Sequence, residues 1–192
     1  EFSNEKWIDI PGGILDLFLK AGRPRPLFRA TNLEKGLDTP ARLYYKGEFY
    51  SPTGSHKVNT ALAQCWYAKQ QGFERVTTET GAGQWGTALA YAAAITGLKC
   101  TVYWVRSVYN WKKDRLYFMK MLGADVHASP SPVTEFGRSL YDKNPDHVGS
   151  LGIAISEGLE DSQKDPKATY SLGSVLNHVL MHQTIIGLET QK

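Results

Sequence analysis

Two short segments carry residue types at spacings suited to covalent and acid–base chemistry: Ser55-His56-Lys57-Val58-Asn59 and Glu79-Thr80-Gly81-Ala82-Gly83-Gln84-Trp85-Gly86. Lys57 opens a helical pattern, where the helix dipole disfavours positive charge. An amine that must be neutral to form a Schiff base gains from that setting. Ser55, His56 and Asn59 lie beside it, each able to bond a cofactor phosphate or ring oxygen. Glu79 follows the strand-like run Arg75-Val76-Thr77-Thr78, an ionisable group where an apolar residue is usual. Behind it, the backbone N–H groups of Thr80, Gly81, Ala82, Gly83 and Gln84, aimed by glycines and backed by a helix N-terminus, form a cradle for a carboxylate. An amine, an acid/base and an anion-binding loop together predict lysine–cofactor chemistry.

The loop admits a rival reading. Gly81-x-Gly83-x-x-Gly86 satisfies the dinucleotide fingerprint between a strand and a helix. Arg106, twenty residues beyond Gly86, stands where a basic residue takes the 2′-phosphate of NADP. Against an NADP-binding domain, more than 70 residues precede a motif that usually lies on the first strand. Glu79 would also repel a pyrophosphate. A nucleotide P-loop is excluded, because no Gly-Lys-Ser/Thr follows the glycines.

The elements that must position these groups read as alternating strands and helices. Ile14 to Lys20 is amphipathic, and Gly22-Arg23-Pro24-Arg25-Pro26 favours extended chain. Leu43-Tyr44-Tyr45 is a short strand. From Lys57, the apolar positions Val58, Ala61, Leu62, Cys65 and Trp66 recur at helical spacing, and Gly72 ends the helix. The strand to Glu79 precedes an alanine-rich, apolar helix from Trp85 to Thr96. Cys100 to Val105 is a continuous apolar strand of the kind covered on both faces. Trp111 to Leu122 reads as one helix and Asp125 to Ala128 as a strand, with Ser131 and Pro132 as N-cap and first residue of the next helix. Leu151 to Gln163 and Val175 to Glu189 read as helices. This order predicts an α/β fold: a right-handed parallel βαβ sheet with helices on both faces, a three-layer sandwich.

Composition narrows the class. With 192 residues, 42% hydrophobic and 21% charged, the chain can bury one domain-sized core. A net charge of +3, with the basic residues scattered, predicts no nucleic-acid partner. No apolar run is long enough to cross a bilayer. Cys65 and Cys100 read as buried thiols in a reducing compartment, and the location expected is the cytoplasm. His178 and His182, four apart on a helix, have no third ligand nearby, so packed polar groups and no metal are expected. Glu157, Glu160 and Asp161 read as a solvated face. Tyr103, Trp104, Tyr109 and Trp111 are read either as core or as the lining of a channel or a partner surface.

The segments Ser51-Pro52-x-Gly54-Ser55-His56-Lys57-x-Asn59-Thr60, Glu79-Thr80-Gly81-Ala82-Gly83-Gln84-x-Gly86 and Gly22-Arg23-Pro24-x-Pro26-Leu27 resemble the tryptophan synthase beta chain family. Trp85, the run Leu151-Gly152-Ile153-Ala154-Ile155-Ser156-Glu157 and the run Gly173-Ser174-Val175-Leu176-Asn177-His178 are similar to its divergent beta-like branch. The likeness runs from residue 22 onward and corresponds to the N-terminal half of such enzymes, residues 1–192 forming that portion of a type II pyridoxal-phosphate fold.

The resemblance implies pyridoxal 5′-phosphate as cofactor and a lyase that condenses indole with L-serine, or its phosphate ester, to L-tryptophan. Lys57 would hold the cofactor and move the α-proton. Glu79 would act as acid/base on the serine hydroxyl and the indole nitrogen. Ser55, His56 and Asn59 would contact the cofactor, and Thr80 to Gln84 the substrate carboxylate. It further implies a homodimer, a possible alpha-chain partner and a mobile communication segment at about residues 72–145. Trp85 departs from the main branch, which carries histidine there. The glycine-rich phosphate cradle of the family lies beyond Lys192. Replacement chemistry on another amino acid, and a non-catalytic half-domain, stand as alternatives.

Overall fold

The computed structural model describes residues 4–191. Helix α1 (Gly12–Lys20) buries Ile14, Leu17 and Phe18 against the core. Strand β1 (Leu27–Arg29), helix α2 (Thr31–Gly36) and strand β2 (Tyr44–Lys46) follow, β1 pairing antiparallel with β2. Helix α3 (Lys57–Gln70) leads to Gly72, whose φ of 85° marks the left-handed helix end expected there.

The main sheet is built from β3 (Arg75–Thr80), β4 (Lys99–Val105), β5 (Asp125–Ser129) and β6 (Ala168–Tyr170). All its pairings are parallel and the order is β5-β4-β3-β6. Helix α4 (Gln84–Thr96) lies between α3 and the sheet, which is why it is apolar nearly all round. Beyond β4 come α5 (Arg106–Trp111) and α6 (Lys113–Met121). Beyond β5 come α7 (Glu135–Tyr141) and α8 (Leu151–Lys164), then, after β6, α9 (Asn177–Gln183) and α10 (Ile185–Thr190).

Side chains alternate across β3, and the alternation places the layers. Thr80 and Gly86 meet on the α4 side, whereas the Thr77 hydroxyl donates to Gly158 O of α8 at 2.8 Å on the other side. Helices therefore cover both faces, as the apolar strands require. Val58, Leu62, Val76, Leu89, Val102, Trp104 and Met119 are fully buried, each worth about 1.5–3 kcal/mol of burial where the side chain is an aliphatic one.

Four expectations are corrected. The helix from Trp111 to Leu122 is two, broken at Lys112, whose ψ of 64° is outside the helical range, and Trp111 is largely exposed. Ser131 does not cap a helix. Thr134 does, accepting from Gly137 N–H at 3.0 Å, while the Ser131 hydroxyl is committed to Glu157. Glu157 is not on a solvated face: it is fully buried and accepts from Ser129 Oγ, Ser131 N and Oγ, and Thr134 Oγ1. The stretch Val175 to Glu189 is likewise two helices, and Val175 itself has a φ of 62°.

Candidate functional site

The connections create a switch point in the sheet. From β3 the chain moves outward to β4 and β5, then returns along α8 to place β6 on the other side of β3. Such a reversal leaves a crevice outside the carboxyl ends of the two strands that flank it, the usual ligand site of parallel sheets. Glu79 and Tyr170 stand at those ends of β3 and β6.

Glu79 is 5% exposed. Burial pushes its carboxyl above the ordinary glutamate value, opposed by the bond from the Tyr170 hydroxyl, weaker bonds from its own backbone and Thr78, and the charge of Lys57. The amine thus acts on the carboxyl through its charge, with no hydrogen bond between them. Lys57 is half-buried, and its Nζ makes no hydrogen bond or ion pair with a described residue.

The loop ahead of Lys57 is rigid by construction. Ser51 Oγ accepts from Ser55 N–H and donates to Ser55 O, both at 2.8 Å, and Ser55 Oγ accepts from Lys57 N–H at 3.2 Å. His56 is exposed as a residue, yet its ring is desolvated enough, and near enough to Lys57, for its pKa to fall. Asn59 differs from expectation. Its Oδ1 accepts from Arg23 Nη1 at 2.6 Å, and its Nδ2 donates to Glu48 and Gln183 at 3.1 and 3.0 Å. With no exposure and both N–H groups used, it anchors the first turn of α3 instead of facing a ligand. Arg23 also bridges Glu48 and Glu189 at 3.0 and 2.7 Å.

The glycine loop is held from behind. Trp104 Nε1 donates to Gly81 O at 2.8 Å, and Thr80 Oγ1 accepts from Gly86 N–H at 3.1 Å. Gly83 has a φ of 91°, and a Cβ there would come within 2.6 Å of the Trp104 ring, so only glycine fits. The remaining first-turn N–H groups of α4 are the orphan donors of any helix start. A Cβ built at Gly81 would make only an ordinary contact, with Leu151 Cδ1 at 3.6 Å.

Tyr170 is the site residue that sequence reasoning missed. Its hydroxyl donates to Glu79 Oε2. The other aromatic residues divide: Tyr103 and Trp104 are core, and Trp85 is buried with its Nε1 donating to Thr78 Oγ1 at 2.6 Å. Arg106 is engaged within the fold, its Nη2 donating to Ala128 O and Pro130 O and its guanidinium lying over Tyr141. It is therefore not free to meet a 2′-phosphate, which removes the NADP reading's basic residue. No metal-binding cluster exists among the described residues. His182 accepts or donates with Thr60 at 3.0 Å, and burial then the neighbouring His178 lower its pKa to about 4. A cavity of 370 Å³ between residues 5–11, α1 and α9–α10 is lined by neither Lys57 nor Glu79. No helix of the described residues is long and apolar enough to cross a membrane.

Comparison with known proteins agrees with this fold. A family model described as pyridoxal-phosphate dependent enzyme matches residues 18–174. The chain is 60% identical over its whole length to the tryptophan synthase beta chain of Thermococcus gammatolerans, covering 44% of that protein. It is 61% identical to tryptophan synthase beta chain 2 of Pyrococcus abyssi, covering 44%, and 58% identical to that of Methanothermobacter thermautotrophicus, covering 45%. The chain thus spans less than half the length of these relatives. Its backbone is similar to a fungal L-serine ammonia-lyase from Rhizomucor miehei, with a TM-score of 0.68 at 16% identity over 87% of this chain and 45% of that one. A pyridoxal 5′-phosphate-dependent aspartate racemase gives a TM-score of 0.68 at 24% identity, over 92% of this chain and 48% of that one. These two likenesses speak for the fold.

Proposed function

The chain belongs to the pyridoxal-phosphate dependent enzyme family, and from that premise we propose that it carries the lysine and the acid/base of a lyase that joins indole to L-serine, or its phosphate ester, giving L-tryptophan. One observation supports the reading: the unengaged Nζ of Lys57, at the start of α3, acts electrostatically on the buried carboxyl of Glu79, near the end of β3 and ahead of a glycine loop.

The residues present fit the aldehyde end of the cofactor. An unengaged amine, a buried carboxyl on which it acts electrostatically and a glycine loop at a helix start form the donor set such a group needs. When bound, pyridoxal phosphate supplies an electron sink for the amino acid's α-carbon. Lys57 Nζ holds the cofactor and then takes and returns the α-proton. Glu79 gives a proton to the departing oxygen of the donor and steadies the indole N–H. The N–H groups of Gly81, Ala82, Gly83 and Gln84, with Thr80, bind the substrate carboxylate. Ser55 and His56 contact the cofactor, while Asn59 fixes the helix start that aims Lys57.

The segment at about 72–145 carries Glu79 and the glycine loop, so its movement against α3 would set the distance between the two reacting groups. A second copy and an alpha chain are the proposed protein partners. The buried, unpaired thiols Cys65 and Cys100 support a cytoplasmic location.

The test is chemical. Protein incubated with pyridoxal phosphate is reduced with borohydride and digested, and the label is sought by mass spectrometry. It should sit on Lys57 and vanish in Lys57→Ala. A label spread over surface lysines, or none, would overturn the reading.

A further inference from the structure

The end of β6 is clamped more tightly than a three-residue strand requires. Ser171 N–H donates to Thr77 O at 2.9 Å, and Ser171 O accepts from Thr78 Oγ1 at 2.5 Å. Thr78 has a single proton. With Trp85 Nε1–H donating to its oxygen at 2.6 Å, that proton goes to the nearer acceptor, Ser171 O, and the 3.3 Å contact to Glu79 is left weak. One residue further, Gln64 Nε2 donates to Leu172 O at 2.8 Å. Trp85 itself is seated against Gly173, where a Cβ would come within 2.2 Å of the indole ring. The departure at position 85 is thus one half of a fitted pair, and the pair fixes the backbone next to Tyr170.

What this scaffolding holds in place is one hydroxyl. The Tyr170 ring lies against Gly158 of α8, and its O–H donates to Glu79 Oε2. Apart from the residue's own backbone, no strong donor among the described residues reaches Oε1. Other ionisable groups around Glu79 are accounted for. Lys57, on α3, acts on it through charge alone. On α8, Glu157 is held by Ser129, Ser131 and Thr134, and Asp161 by Arg75 at 2.8 Å. From β4, Tyr103 lies opposite Glu79 in register and is fully buried.

Resting on the reading of Glu79 as acid/base, we propose that Tyr170 is its positioning residue, gripping Oε2 so that Oε1 is the oxygen that exchanges protons in the crevice. A donor to the ionised carboxylate stabilises that form and opposes the effect of burial. Tyr170 stays protonated throughout, because burial and then the bond to Glu79 both raise its own pKa. Tyr170 also keeps the carboxylate from swinging toward Lys57 and closing an ion pair that would occupy both reacting groups.

The experiment is a carbon-13 titration of labelled glutamate side chains in the protein, with Glu79 assigned by its absence in Glu79→Gln. In Tyr170→Phe, Glu79 should titrate about one pH unit higher than in the parent. Replacing Tyr170 by a ring-fluorinated tyrosine, a stronger donor of the same shape, should move it lower. Shifts of opposite sign support the proposal and cannot come from loosened packing. An unchanged Glu79 titration in both variants overturns it, and the fluorinated variant decides alone if the phenylalanine variant does not fold. Failure of the enzymatic reading would appear elsewhere, as absent borohydride labelling of Lys57 in the parent protein, and leaves this titration unaffected.

Discussion

The contact between Gly173 and Trp85 gives the sharpest stability test. A Cβ at Gly173 would lie 2.2 Å from Trp85 Cδ2 and 2.6 Å from both Cγ and Cε3, distances at which something must move. The indole cannot slide freely, because it is 5% exposed and its Nε1 is bonded to Thr78. Overpacking a rigid core costs about 1–3 kcal/mol, and weakening the Trp85–Thr78 bond adds about 1 kcal/mol. Gly173→Ala is therefore expected to lose about 2–4 kcal/mol in a urea unfolding curve, with unchanged slope. Trp85→Ala alone should lose about 3–5 kcal/mol by leaving a cavity. That cavity is where the new methyl would go, so Gly173→Ala should cost nearly nothing in the Trp85→Ala background. The interaction energy of the cycle is then about 2 kcal/mol or more. An equal cost of Gly173→Ala in both backgrounds would refute the fitted-pair argument.

Two further outcomes follow from the charges. Glu79→Gln should be more heat-stable than the parent at neutral pH, because a buried carboxyl whose folded pKa is raised loses stability as pH rises above the unfolded value near 4.5. The gap should close below that pH, and a constant difference in Tm would contradict the assignment. Arg23→Met should cost about 3 kcal/mol at neutral pH by stranding Glu48 and Glu189, whose side chains are only 13% exposed. Burial raises the Glu189 carboxyl, but bonds from Arg23 and Lys46 outweigh it and hold the pKa below the ordinary value. Its stabilisation is present above 4.5 and is lost as pH falls through the depressed value, so the Arg23→Met deficit should shrink on acidification. Chemical denaturation at several pH values reads both signs.

The sequence shows residues whose meaning is local. Lys57, Glu79 and the glycine loop announce themselves because a β-branched strand, a turn and an apolar helix follow one another without a break. The parallel strands β3, β4 and β5 are legible for the same reason. Tyr170 is not, because β6 has three residues, too few for any periodicity, and its partner Glu79 is 91 positions away. Ser131 obeys a sound capping rule that a tertiary contact overrides, since buried Glu157 takes its hydroxyl from 26 positions away. Asn59 looks like a ligand contact beside Lys57, but Arg23, 36 positions earlier, folds back to claim it.

The placement of β6 also has a kinetic consequence. Strands β3 to β5 can pair in the order in which they are made, β3 joined to β4 by α4 and β4 to β5 by α5 and α6. The second wall of the crevice arrives only after the chain has crossed the whole sheet along α8, a long closure that non-local pairing makes slow. Until then Glu79 lies on an unpaired strand edge with no hydroxyl beside it. Acid–base competence should thus be acquired in a late step of folding, after the compact framework has already formed.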